Sequence, residues 1–140
     1  GWPEFCSALY PEPSRALIEA QLDIMGSAGL ALHQWRKHGT CTGLSPQAYF
    51  DTARAAFAAF PVPGAVAPAE PVRLPLADLT DTLRGEWPGV PDDGLAVICQ
   101  GRQVYEVRLC LTRELAPRPC NAHVLDRACR ASDVALPGVR

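Results

Sequence analysis

Apolar residues recur with a helical period through the first half of this chain and with a strand period in the second. Leu17, Ile18, Leu22 and Met25 share one helical face behind Ser14, a residue suited to an N-cap. A helix is therefore expected over residues 14 to 25, ended by Gly26 and Gly29. A second, shorter helix is expected over residues 30 to 38, stopping at Gly39, with Leu32 and Trp35 toward the core. Ser45-Pro46 reads as a cap followed by proline at the first helical position. The helix it opens runs to about residue 60, with Tyr49, Phe50, Ala53, Phe57 and Phe60 as its core face. Residues 61 to 75 hold five prolines without periodicity and read as a loop. A further helix covers residues 76 to 87 and ends at Pro88-Gly89. Residues 95 to 99 form a buried strand, Gln100-Gly101-Arg102 a turn, and residues 103 to 112 a second strand with Tyr105, Val107, Leu109 and Leu111 on one face. The opening Gly1-Trp2-Pro3-Glu4-Phe5-Cys6 is irregular because Pro3 interrupts regular structure, and Pro11 and Pro13 keep the next stretch extended. A short apolar segment, residues 134 to 136, lies in the tail.

At 140 residues and 48% apolar composition, the chain is expected to form one domain with a real core. No run of eighteen apolar residues occurs, so no membrane-spanning helix is expected. The first residue is Gly1 and no signal peptide is present, which predicts a processed or cut chain. Six cysteines predict a disulfide framework formed in an oxidising compartment, the bacterial periplasm or outside the cell; buried free thiols are the alternative. A net charge of −2 gives no global attraction to nucleic acid, so any RNA contact must be local. The preference for Arg, Ala and Pro fits GC-rich coding, as in many bacteria.

One stretch departs from that background: His33-Gln34-Trp35-Arg36-Lys37-His38-Gly39-Thr40-Cys41. It holds two of the three histidines, and Lys37 is the one lysine among thirteen basic residues. On a helix, His33 and Lys37 share one stripe, and Gln34 and His38 share the neighbouring one. RNA carries its own nucleophile, the ribose 2′-hydroxyl. Cutting it requires a base for that proton, an acid for the leaving 5′-oxygen, and positive donors around the phosphate. Histidine suits both proton roles near neutral pH, and a lysine ammonium suits a developing oxyanion. No metal or other cofactor is needed.

The same nine residues resemble the second active-site motif of the ribonuclease T2 family, His-Glu-Trp-x-Lys-His-Gly-Thr-Cys, departing from it at Gln34. The resemblance extends to Trp2 to Cys6, to Ser45 through Phe50, to Cys99-Gln100-Gly101, to Glu106-Val107-Arg108 and to Val139-Arg140, which looks like a natural end. It implies an α+β fold with helices packed on a mainly antiparallel sheet. Residues 1 to 140 are then the C-terminal part of a single ribonuclease T2-like domain whose N-terminal strands are missing. It implies an endoribonuclease that needs no metal, acts on single-stranded RNA as a monomer, and yields a 2′,3′-cyclic phosphate and then a 3′-phosphate. By position, His38 is the general base, His33 binds phosphate, Lys37 stabilises the pentacovalent phosphorane, and Gln34 stands in the catalytic set where the family has glutamate. His33, Lys37 and Trp35 are the substrate-binding candidates, with Trp35 also matching a structural position. The implied disulfides are Cys6 with Cys41, Cys99 with Cys129 and Cys110 with Cys120; for the last four, sequence alone allows three connectivities.

Two departures qualify that expectation. The family's His-Gly-Leu-Trp-Pro motif, source of the general acid, is absent, and Trp2-Pro3 is not its equivalent. Gln34 cannot set a negative charge against His38, which removes an upward influence on the histidine pKa. His123, the remaining histidine, is expected at the surface. A zinc site from His33, His38 and Cys41 is a rival, against which stands the lack of the i, i+4 histidine spacing of zinc proteases. The other alternative is a catalytically impaired protein of the same fold that binds RNA or a protein partner without cutting.

Overall fold

The computed structural model describes residues 3 to 6 and 10 to 139. Gly1, Trp2 and Arg140, on which part of the resemblance falls, lie outside the described residues. The chain forms two compact units, Gly1–Pro61 and Val62–Arg140.

The first unit is helical. Ser14 caps helix α1 (Arg15–Glu19), its hydroxyl accepting from the Leu17 N–H at 3.2 Å. The expected single helix is broken here: a turn at Ala20 and Gln21 separates α1 from α2 (Leu22–Met25). Arg54 supplies the reason from 34 residues away, donating to the Ala20 carbonyl at 2.7 Å and to both Asp23 carboxylate oxygens at 2.8 and 2.9 Å. A carbonyl satisfied by a guanidinium does not need the next helical N–H. The Arg54 hydrogen bonds also hold the Asp23 carboxyl below the usual carboxylate range.

Gly26, at φ +80°, ends α2, but Gly29 does not act as a stop. It lies in the first turn of α3 (Ala28–Lys37), which Ser27 caps by accepting from the Leu30 N–H at 3.1 Å. Helix α4 (Pro46–Ala59) opens on the Ser45 cap with Pro46 at its first position, as expected. The core of this unit joins Ile18, Ala31, Trp35 and Phe50, with Leu17, Met25, Leu32 and Tyr49 packed against them. Two residues correct the expected α4 face: Phe57 is 44% exposed and Phe60 only half-buried, so Phe50 anchors that helix.

The second unit carries the sheet. Strand β1 (Val72–Pro75) pairs antiparallel with β4 (Asp133–Leu136), β4 runs parallel to β3 (Gln103–Leu109), and β3 pairs antiparallel with β2 (Leu95–Gln100). The order is β1-β4-β3-β2. The class is α+β, with a mixed sheet in which two of three pairings are antiparallel. Between β2 and β3 the two-residue loop has Gly101 at φ +59°, the first-position geometry of a type II′ hairpin turn. A bulge between Ile98 and Cys99 makes Tyr105 the extra residue of β3. Val104 is therefore buried and Tyr105 is 63% exposed, which corrects the expected alternation; Leu111 falls beyond the strand.

Helix α5 (Leu76–Glu86) buries Leu79 and Leu83 completely. Asn121 caps the short α6 (Ala122–Leu125), where Val124 packs with Ala96 and Cys120. His123, on α6, is exposed. All three disulfides have the pairs the resemblance implies: Cys6–Cys41, Cys99–Cys129 and Cys110–Cys120, with Cα separations of 5.0, 5.1 and 5.3 Å. No helix among the described residues is long and apolar enough to cross a membrane.

Candidate active site

Helix α3 separates its two sides cleanly. Ala31 and Trp35, one turn apart, face the core, Trp35 with 1% of its surface exposed. His33 and His38 are exposed, and Gln34 and Lys37 are half-buried. The structure thus leaves four expected site residues accessible to solvent and withdraws Trp35 into the core. Trp35 meets Tyr49 and Tyr10 edge-on, at ring centroid distances of 5.6 and 6.2 Å, and serves the core instead of touching substrate.

The residues after the helix fix its end. His38 closes α3 with its N–H on the Gln34 carbonyl at 2.9 Å, and a single 3₁₀ turn, Gly39–Cys41, follows. Gly39 is required by proximity: a Cβ there would stand 2.9 Å from Cζ3 of Trp35. Thr40 is buried, donating its hydroxyl to the Arg36 carbonyl at 2.9 Å and accepting the Cys6 N–H at 3.2 Å. Cys41 is bonded to Cys6, which removes its sulfur from any thiolate ligand set. Among the described residues, no group of three or more His, Cys, Asp or Glu side chains is arranged to hold a metal ion.

Through these links the N-terminal segment lies along the helix. The Phe5 N–H donates to the Lys37 carbonyl at 2.9 Å, the Phe5 ring meets His33 edge-on at 6.1 Å, and the Glu4 carboxylate sits 3.4 Å from the Lys37 Nζ. Glu4 and Phe5 are the site residues that sequence reasoning missed. The pairing of Cys6 with Cys41 was the available signal, because it puts residues 3 to 6 beside the motif.

His38 titrates below the ordinary histidine value. Partial desolvation of the ring is the largest cause, the Lys37 charge the next, and His33 adds to it; the Glu4 carboxylate opposes them. A lowered value favours the neutral ring, the form a general base requires. The Glu4–Lys37 pair is partly exposed, so it contributes at most about 1 kcal/mol.

The structure is similar to that of an RNase-related protein from Calystegia sepium, with a TM-score of 0.72 and 16% sequence identity, over 97% of this chain and 75% of that one. The fold is that of an RNase-related protein. At this identity the likeness establishes the fold alone. No protein-family model matches the sequence, and neither does any curated protein.

Two results are expected from these contacts. Replacing Cys6 and Cys41 together by alanine opens a link spanning 35 residues, and should cost about 3–4 kcal/mol by the chain-entropy account. The urea midpoint should fall accordingly, and an unchanged midpoint would show that the bridge constrains nothing. The second concerns His38. Removing a nearby negative charge disfavours the imidazolium, so Glu4→Gln should lower the His38 pKa further and Gln34→Glu should raise it. An NMR titration of the histidine ring reads both shifts, and equal values in all three proteins would refute the electrostatic account.

Proposed function

We propose that the exposed side of α3 is the phosphate-handling half of a ribonuclease site acting on single-stranded RNA without a metal ion. The observations that carry this reading are the solvent access of His33, Lys37 and His38 and the electrostatic influence of the first two on the third, in a fold shared with an RNase-related protein. In the reaction, His38 in its neutral form takes the proton of the ribose 2′-hydroxyl. The freed oxygen attacks the adjacent phosphorus, forming the P–O2′ bond while the P–O5′ bond breaks. The Lys37 ammonium, released from Glu4, and His33 bind the phosphate oxygens as negative charge accumulates. A general acid gives the leaving 5′-oxygen its proton; the T2 resemblance assigns this role to a histidine in an upstream His-Gly-Leu-Trp-Pro segment. Water then opens the 2′,3′-cyclic phosphate to a 3′-phosphate by the reverse use of the same groups.

Gln34, where the family has glutamate, carries no charge that could raise the His38 pKa. Three disulfides fit an oxidising compartment, and a secreted or periplasmic bacterial protein is the setting we propose. The reading is tested with two oligomers of one sequence, RNA and its 2′-deoxy counterpart, given to a version of the chain extended with a His-Gly-Leu-Trp-Pro segment. The RNA should be cut and the deoxy strand left intact, because it lacks the nucleophile. Binding of both without cutting would favour an RNA-binding protein, and cutting of both would exclude transphosphorylation.

A further inference from the structure

The chain between the helical unit and the sheet has no covalent reinforcement. Cys6–Cys41 brackets residues 6 to 41, and Cys99–Cys129 brackets residues 99 to 129 with Cys110–Cys120 inside them. A chain cut within either span stays in one piece, whereas a cut within residues 42 to 98 divides it. The long irregular stretch there is residues 60 to 71, between α4 and β1. At its centre Gly64–Val66 forms a single 3₁₀ turn, with the Val66 N–H on the Pro63 carbonyl and the Ala67 N–H on the Gly64 carbonyl, both at 3.1 Å. Among the described residues, no other hydrogen bond holds residues 64 to 67. Gly64, Ala65 and Ala67 are exposed and Val66 is half-buried. Both ends are anchored, Pro63 by burial and Pro68 by accepting the Val139 N–H at 2.9 Å. A protease cleft takes its substrate extended, so an exposed turn closed by two local hydrogen bonds is open to it where a helix is not.

We infer that residues 64 to 67 are a cleavage site for a serine protease with a small S1 pocket. Such a pocket accepts alanine and valine and excludes larger side chains. The neighbouring bonds are closed to it: Val62–Pro63, Ala67–Pro68 and Glu70–Pro71 end on a proline nitrogen, which has no N–H and a fixed φ. Ala69–Glu70 is crowded, the Ala69 carbonyl lying 2.9 Å from where a Cβ on Gly138 would stand. Ala65–Val66 and Val66–Ala67 remain. The irregular stretch before β2 offers no equivalent, because Val90 precedes Pro91 and Arg84 holds the Asp92 carbonyl at 2.7 Å. In the cut, the protease's seryl oxygen adds to the carbonyl of Ala65 or Val66 and the C–N bond breaks. The departing amine takes a proton from the protease histidine, and water then frees the new carboxylate from the acyl-enzyme. His33, Lys37 and His38 go with α1 to α4 on one fragment and all four strands on the other, with no disulfide between them. The site stands whether or not the protein cuts RNA.

The test gives pancreatic elastase to the folded 140-residue chain with its disulfides intact. Samples over time are read by mass spectrometry and on denaturing gels without reductant. The first products should be two separate fragments, the second beginning at Val66 or Ala67. Ala65→Glu combined with Val66→Glu should slow this cut at least about tenfold, because a carboxylate does not fit a small apolar pocket. Val66→Pro, which sets proline at both bonds, should slow it as well. Urea midpoints close to that of the parent show that the variants fold alike. The site is overturned if the first cut falls elsewhere, or if both variants are cut at the parent's rate. It is equally overturned if the folded chain stays whole at a protease concentration that digests the reduced, unfolded chain.

Discussion

His38→Ala should lower kcat/KM for single-stranded RNA by about 10²- to 10⁴-fold in a version of the chain extended with a His-Gly-Leu-Trp-Pro segment, the range expected when the proposed general base is removed. That loss corresponds to roughly 3–5 kcal/mol of transition-state stabilisation. The fold should be untouched, because His38 is exposed and its helix-ending hydrogen bond is made by the backbone. Exposed positions of this kind change stability by no more than about 0.5 kcal/mol. The variant therefore separates chemistry from folding: far-UV circular dichroism and the urea midpoint should match the parent while turnover collapses. A pH profile adds a second reading. Since His38 titrates below the ordinary value, the acidic limb of kcat/KM should lie below that of a free histidine, and Glu4→Gln should carry it lower still. Turnover that persists in His38→Ala would mean that another group takes the 2′-hydroxyl proton.

Trp35→Ala should have the opposite signature, a folding loss. The indole is among the largest fully buried side chains, meets Tyr10 and Tyr49 edge-on, and lies under Gly39 so closely that no Cβ fits there. Replacing a buried tryptophan by alanine costs about 3–5 kcal/mol, from lost burial and from the cavity left behind. Domains of ordinary stability have about 5–15 kcal/mol in total, so a large share of the stability disappears. The urea midpoint followed by circular dichroism should fall steeply, and His38 should lose its setting because α3 ends over the same ring. A midpoint close to that of the parent would show that the Trp35 contacts are not what holds α3 in place.

These two variants mark where the sequence was legible. Local signals read correctly: Ser14 and Ser45 cap helices, Gly101 sits in the hairpin turn, and the apolar run of β2 is a strand. Solvent access of His33, Gln34, Lys37 and His38 agrees with the helical spacing, as does the inward side of Trp35. What failed depended on partners distant in sequence. The break between α1 and α2 contains no proline or glycine; it is set by Arg54, on α4. Strands β1 and β4 have four residues each, too few for alternation, and Pro75 is tolerated because β1 is an edge strand. Phe57 kept the helical spacing but lies where the α4 stripe has turned toward solvent, and Tyr105 was displaced by a bulge that shifts register by one residue. Glu4 and Phe5 carry no periodicity at all. A disulfide and two hydrogen bonds across more than thirty residues bring them to the site.

The most direct test of the proposed activity is the chemical nature of the ends produced from single-stranded RNA in excess EDTA, read by ³¹P NMR. A version of the chain extended with a His-Gly-Leu-Trp-Pro segment should yield 2′,3′-cyclic phosphate first and 3′-phosphate later, and its His38→Ala variant should yield neither at a comparable rate. Intact RNA in EDTA, or cutting that appears only when a divalent metal is returned, would contradict a metal-independent ribonuclease at this site.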